Sequence, residues 1–164
     1  CVSHDSCQLA GGCACGNLRF RLTKMPLVVH CCHCHWCQQQ SGSHYAVNAV
    51  VESKWLEMDH GIPTTVDAPT PSGAGQRIAL CPHCRTTIWT HCYGFGAQDR
   101  VSFLRVGTLD SPGRLPEDVH IFTESKVPGL TLPSDKLSFP QYYDRAEVWS
   151  QESLVRLSEV CTSA

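Results

Sequence analysis

Gly11-Gly12-Cys13-Ala14-Cys15-Gly16 sets two thiols one residue apart in a glycine-rich turn, and Leu80-Cys81-Pro82-His83-Cys84 sets two more at a Cys-x-x-Cys spacing. Both spacings let neighbouring thiolates turn toward one ion. Four sulfurs at tetrahedral angles are the ligand set of a structural zinc. The glycines let the backbone curl around Cys13 with no Cβ in the way. Cys15 and Cys81 lie 66 positions apart (81 − 15 = 66), so a metal shared by the two halves ties distant strands together and contributes folding free energy directly. The other reading of each pair, a redox dithiol, lacks the βαβ pattern that surrounds thioredoxin-like motifs.

Between these halves runs a denser stretch, Cys31-Cys32-His33-Cys34-His35-Trp36-Cys37. Cys32, Cys34 and Cys37 combine both spacings, so three thiolates converge on one ion. Cys31 points to the other side of an extended chain and is expected in the core. His33 and His35 are alternatives for a fourth ligand. A closed four-ligand site is a second structural zinc, whereas three ligands leave a position open to an exogenous thiol or water. A divalent ion with three thiolates is a net anion and a poor activator of water, but it still binds and deprotonates a further thiol. The chemistry that suits Cys32, Cys34 and Cys37 is therefore addition of a thiol to a carbonyl. The polar turn Gln38-Gln39-Gln40-Ser41-Gly42-Ser43 follows directly, and Gln40, Ser41 and Gly42 are read as contacts for the carboxylate or amide of a peptide thiol.

Twelve cysteines in 164 residues fit free thiols in a reducing compartment better than a disulfide scaffold, which is usually shorter. A cytoplasmic location is expected. The formal net charge of −2 and the lack of a basic run argue against nucleic acid as a partner. No apolar run is long enough to cross a bilayer, and residues 1–12 hold no signal-peptide core. The chain does not begin with Met, so a short upstream piece is expected.

Strands are expected at 17–23, 27–32, 44–51, 76–80, 86–92, 101–106 and 119–123, from alternation or from β-branched runs. A short helical turn or loop is expected at 36–41, closed by Gly42, and a terminal helix at 152–161. Residues 61–75 carry three prolines and three glycines and read as a surface loop; 128–140 reads as irregular. Residues 1–10 are expected to be a flexible lead-in, and 11–164 a single zinc-binding domain of mainly β class. Asn48 is expected buried, and Trp36 and Trp89 in the core. Arg85 and Arg105 are cations able to pair with a substrate carboxylate. His120 is read as packing or pocket wall. Cys1, Cys7, Cys92 and Cys161 are read as free thiols.

The order Gly12-x-Cys-x-Cys-Gly16, Cys32-His-Cys-x-x-Cys37, Cys81-x-x-Cys84 resembles the glutathione-dependent formaldehyde-activating enzyme family, which includes centromere protein V. Gly107-Thr108-Leu109-Asp110, His120-Ile121, Phe139 and Tyr142-Tyr143 extend the resemblance over roughly residues 10 to 150. It implies a mainly β, Mss4-like fold of short antiparallel strands with few short helices. It implies a structural zinc on Cys13, Cys15, Cys81 and Cys84, and a second, catalytic and labile zinc on Cys32, Cys34 and Cys37. The implied activity is condensation of glutathione with formaldehyde, a carbon–sulfur lyase reaction written in reverse; a non-catalytic binding or carrier module is the alternative. The family usually has Gly after the last cysteine pair, where this chain has Arg85.

Overall fold

The structure, a computed structural model, describes residues 8–162. In chain order the strands and helices are β1 (Leu9–Gly12), β2 (Arg19–Leu22), β3 (Val28–Cys32), α1 (His35–Ser41), β4 (Ala46–Glu52), β5 (Leu56–His60), β6 (Thr64–Ala68), β7 (Gln76–Leu80), β8 (Thr87–Cys92), β9 (Val101–Arg105), β10 (Val119–Ile121), β11 (Leu137–Ser138), α2 (Arg145–Val148) and α3 (Gln151–Thr162). The described residues are thus mainly β, as expected. A three-stranded sheet runs β1-β2-β5 and an eight-stranded sheet runs β11-β10-β3-β4-β9-β8-β7-β6. Pairing is antiparallel except that β10 lies parallel to both β3 and β11.

The centre of the large sheet is covered on both sides, so β3 and nearly all of β4 are buried without alternation. Leu18, Phe20 and Leu22 of the small sheet meet Val29, Ala49, Val51 and Leu104 of the large one. On the opposite face Val28, Val50, Val101 and Val119 meet Tyr143, Trp149, Leu157 and Val160. Successive side chains of a strand point to opposite faces, so this packing sends Val28, His30 and Cys32 of β3 away from the small sheet. Helix α3 is pinned by Arg156, whose Nε and Nη2 donate to the Glu52 carboxylate at 2.9 and 2.6 Å in buried surroundings.

Five elements depart from the sequence expectations. The two-residue β11 lies within 128–140, read as irregular, where it pairs with β10, and the short α2 was not expected. Strand β1 begins inside the stretch 1–10 read as a flexible lead-in; Leu9 buries on the inter-sheet core, and the strand pairs with β2 from Leu9↔Leu22 to Gly12↔Arg19. Cys1 and Cys7 lie outside the described residues. Strand β6 falls within 61–75, read entirely as loop. Its Thr-Thr-Val core is β-branched, and the edge of the sheet accepts it beside β7. The prolines that suggested a loop bracket the strand at Pro63 and Pro69. Strand β5 was not expected. Leu56 and Met58 pack on the core, while Glu57 and Asp59 pair with Arg21 of β2 at 3.0 and 2.7 Å.

Candidate metal centres and the adjoining cavity

The first cluster joins the two sheets. Cys13 and Cys15 sit in the β1–β2 turn and Cys81 and Cys84 in the β7–β8 turn. The four sulfurs all lie within 4.8 Å of one another, with Cys13–Cys15 at 3.5 Å and Cys15–Cys81 at 3.7 Å. A tetrahedron with zinc–sulfur bonds of about 2.3 Å has edges of about 3.8 Å, so this set fits zinc. Gly12 is required by the turn, because a Cβ there would sit 2.3 Å from the Leu18 carbonyl oxygen. Arg85 adopts φ 62°, a left-handed conformation that suits glycine. The departure from the family pattern thus keeps a glycine-like backbone, and Arg85 is not on the cavity wall described below.

Hydrogen bonds prepare these sulfurs for charge. The Leu18 N–H donates to Cys13 Sγ and the Asn17 amide to Cys15 Sγ, each at 3.2 Å. Burial opposes ionisation of Cys13, but the Leu18 N–H and the bonds to Cys15 and Cys81 outweigh it and lower its pKa. The Thr86 hydroxyl, 3.1 Å from Cys84 Sγ, is the chief reason that this thiol is pulled down to about 5. Burial pushes Cys81 up to about 11.

The second cluster is built locally. Cys32 ends β3, Cys34 is the N-cap of α1 with extended backbone, and Cys37 lies in the first turn of that helix. The Cys37 N–H donates to Cys34 Sγ at 3.3 Å, the usual service of an N-cap side chain. Cys32 and Cys34 sulfurs are 3.5 Å apart, and the three sulfurs group within 4.8 Å with no histidine among them. This sulfur set also fits a soft, zinc-like ion. Hydrogen bonds from the Cys32 and Cys37 thiols hold Cys34 far down, at about 2. Cys32 is driven up by its bonds to Cys34 and Cys37 and by burial. Cys37, pulled down by Cys32 but pushed up more by Cys34 and by burial, stands at about 12. Of the three sulfurs, Cys34 is the one whose hydrogen bonds favour the thiolate.

Neither histidine of the motif joins the sulfurs. His35 is exposed on α1. His33 turns to the other side, where its Nε2 meets His120 Nδ1 at 3.0 Å, with Cys31 Sγ 3.6 Å away. His120 packs against His33 rather than lining the cavity. Cys31 is buried, as expected.

Cys32, Cys34 and Cys37 open onto a cavity of about 450 Å³. Its floor is one face of the large sheet: His30 beside Cys32, Asn48 on β4, Phe103 and Arg105 on β9, Thr90 and Cys92 on β8, and Gln76 on β7. Trp36, Phe95, Phe122, Tyr142 and Arg145 also line it. Arg105 donates to the Asn48 side-chain oxygen at 2.8 Å. The Arg145 guanidinium lies 4.1 Å from the Phe95 ring centroid and donates to the Phe95 carbonyl at 3.2 Å. His30 is held by the Tyr143 hydroxyl at 2.6 Å; burial and then the Arg145 charge pull its pKa down to about 4, so it is neutral at pH 7. Trp36 Nε1 and Gln76 Nε2 are buried polar atoms with no partner.

Asn48 is buried as expected, and Trp89 packs on the inter-sheet core. Trp36, expected in the core, instead stands on the cavity wall. Gln40, Ser41 and Gly42 occupy the C-terminal end of α1, away from the cavity wall. Gly42 caps the helix at φ 63°, and the Ser41 hydroxyl donates to the Cys37 carbonyl at 2.7 Å. Sequence reasoning missed Phe95, Phe103, Arg145 and Gln76, took Tyr142 only as part of the family pattern, and took Cys92 only as a free thiol. The available signal was the alternation that puts Phe103 and Arg105, and likewise Thr90 and Cys92, on one face.

The sequence model described as glutathione-dependent formaldehyde-activating enzyme matches residues 8–125. No curated protein matches the chain. Among solved structures, a Rhodobacter sphaeroides structural-genomics target is 14% identical with a TM-score of 0.47, over 62% of this chain and 87% of that one.

Proposed function

The chain belongs to the glutathione-dependent formaldehyde-activating enzyme family, and from that premise we propose that it joins a thiol, glutathione foremost, to a small aldehyde such as formaldehyde, or runs the reverse. The observation that carries this reading is a three-sulfur cluster with no fourth protein ligand among the described residues, opening on a cavity of about 450 Å³. The reaction balances without an oxidant: a carbon–sulfur bond forms, the carbonyl π bond opens, and the thiol proton ends on the former carbonyl oxygen. The reverse direction is a carbon–sulfur lyase reaction.

In this reading Cys32, Cys34 and Cys37 hold zinc, while Cys13, Cys15, Cys81 and Cys84 hold a structural zinc. Zinc on the three-cysteine set supplies a soft Lewis acid that favours the ionised form of an incoming thiol. The N-cap geometry of Cys34 and the first turn of α1 fix two of the three sulfurs before any ligand arrives. Arg105, kept in place by Asn48, puts a positive charge beside a sulfur-rich, anionic centre. Gln40, Ser41 and Gly42, just beyond Cys37, contact the part of a peptide thiol that stays outside the cavity. The ten described cysteines are all free thiols, in keeping with a reducing, cytoplasmic setting. No described helix is long and apolar enough to cross a membrane.

The test is the exchange rate between glutathione and formaldehyde, followed by NMR with protein of verified zinc content. Acceleration that falls to the uncatalysed rate in Cys34→Ser is expected. A Cys34→Ser protein that exchanges as fast as wild type overturns the assignment. No acceleration by fully loaded wild-type protein favours the carrier or binding module.

A further inference from the structure

The cavity beside the second cluster is larger and more apolar than formaldehyde needs. Formaldehyde has two heavy atoms, whereas cavities of roughly 300–1,000 Å³ take drug-sized ligands. Five aromatic side chains stand on its wall: Trp36, Phe95, Phe103, Phe122 and Tyr142. Edge and face contacts with such rings favour a flat arene. Phe95 and Phe103 already meet edge to face at a centroid distance of 5.2 Å.

The charges on the wall are equally one-sided. Among the described residues no Asp, Glu or Lys lines the cavity, but Arg105 and Arg145 do. The ammonium of a peptide thiol would find no carboxylate inside, so the peptide thiol reaches the cluster with its sulfur while its charged amine stays out. Arg105 is already accounted for, because its Nη1 donates to the Asn48 side-chain oxygen at 2.8 Å. Arg145 is not. Its described contacts are the Phe95 ring and carbonyl, the Trp149 ring and the Tyr142 hydroxyl, none of them a full negative charge, and no carboxylate lies within ion-pair distance of it among the described residues. A half-buried guanidinium with no anion favours an anionic ligand, held through its planar fork. Gln76, 4% exposed and on the same wall, carries an unpartnered amide donor, which an acceptor oxygen on the ligand would satisfy.

We propose that the electrophile taken by this site is an aromatic aldehyde bearing a carboxylate, its ring among the aromatic side chains and its carboxylate on Arg145. This rests on the thiol-addition reading above and names its second substrate. The reaction is the same addition: the thiol sulfur bonds to the aryl carbonyl carbon, the thiol proton passes to the oxygen, and nothing is oxidised or reduced.

The experiment uses the full chain with verified zinc content and has two readouts. The first is acceleration of glutathione exchange, by NMR, with formaldehyde, benzaldehyde and 4-formylbenzoate. The second is binding of the unreactive 4-methylbenzoate by calorimetry, in wild type, Arg145→Met and Arg145→Lys. Acceleration is expected to be about tenfold or more greater for 4-formylbenzoate than for formaldehyde. Arg145→Met is expected to weaken 4-methylbenzoate binding by roughly ten- to a hundredfold and to lower the 4-formylbenzoate to benzaldehyde ratio, with Arg145→Lys in between. If Arg145→Met does not fold, Arg145→Lys carries the comparison. Formaldehyde accelerated at least as well as the aryl aldehydes, or 4-methylbenzoate binding that ignores both variants, overturns the inference and leaves the thiol-addition reading standing. Arg145-dependent binding of 4-methylbenzoate with no acceleration of any aldehyde supports the ligand class and overturns the thiol-addition reading. Neither binding nor acceleration overturns both.

Discussion

Cys13, Cys15, Cys81 and Cys84 come from two turns that belong to different sheets, whereas Cys32, Cys34 and Cys37 come from one strand end and the helix turn after it. The first set closes a long loop, which is where a metal clip gains most against the entropy of the unfolded chain. The second closes almost nothing, because a short run of chain already presents its sulfurs together. The first supplies all four corners of a tetrahedron. The second supplies three, beside a cavity. In the proposed reading, stability and reactivity divide between two chemically similar clusters by the sequence separation of their cysteines and by their number.

The largest effect expected to sharpen this contrast is on folding. Cys81→Ser removes a buried ligand from the inter-sheet cluster. Structural zinc contributes about 10–16 kcal/mol of apparent binding free energy in small zinc folds, as much as the whole stability of a typical domain, about 5–15 kcal/mol. Cys81→Ser is expected to lose cooperative thermal unfolding by circular dichroism, while Cys34→Ser keeps it. Equal losses in the two variants would break the distinction.

Acid should separate the clusters next. Metal uptake requires every ligand thiol to be ionised. In the second cluster Cys32 and Cys37 both resist ionisation and only Cys34 favours it. In the first, Cys13 and Cys84 are lowered and Cys81 is raised. Protons therefore compete better with metal at the second cluster, and its zinc is expected to leave first, at the higher pH, as pH falls. A zinc-indicator titration with two resolved release steps, the earlier one absent from Cys37→Ser, would show it. Release in the opposite order would reverse the assignment.

The smallest expected effects are at glycines. In Gly12→Ala the new Cβ meets a backbone oxygen at 2.3 Å, so the turn that carries Cys13 must shift; about 3 kcal/mol is expected. Gly42→Ala, at φ 63° with open space around it, incurs only left-handed strain, about 1 kcal/mol. Denaturant midpoints measure both. A Gly42 variant that loses more than the Gly12 variant would mean that the helix after the second cluster, rather than the inter-sheet turn, is the more constrained element.

Both sulfur clusters were legible because Cys-x-Cys and Cys-x-x-Cys are local geometry, and so were β3, β4, β7, β8 and β9, whose apolar runs are strong. The edges were less legible. Strand β6 sits between prolines and is held only by its pairing with β7, and β1 and β5 are held on the inter-sheet core through pairing with β2. Pairing of that kind leaves a weak trace in short segments. Among the cavity residues, Arg105 was legible as a cation but not as a wall of this site, and Arg145, sixth in line from Pro140, gave no sign of being there.

What the sequence by itself determined is the pair of cysteine clusters able to hold a metal, because residue type and spacing are written in nearby residues. The mainly β class follows in the same way from the periodicity of the strands. Only the tertiary structure decided which sulfurs face a cavity, that the motif histidines turn away from them, and that the cavity wall is aromatic and cationic. Those facts depend on strand register and on how the segments around Phe95, Phe122 and Arg145 close over one face of the sheet, which is long-range packing among residues far apart in the chain.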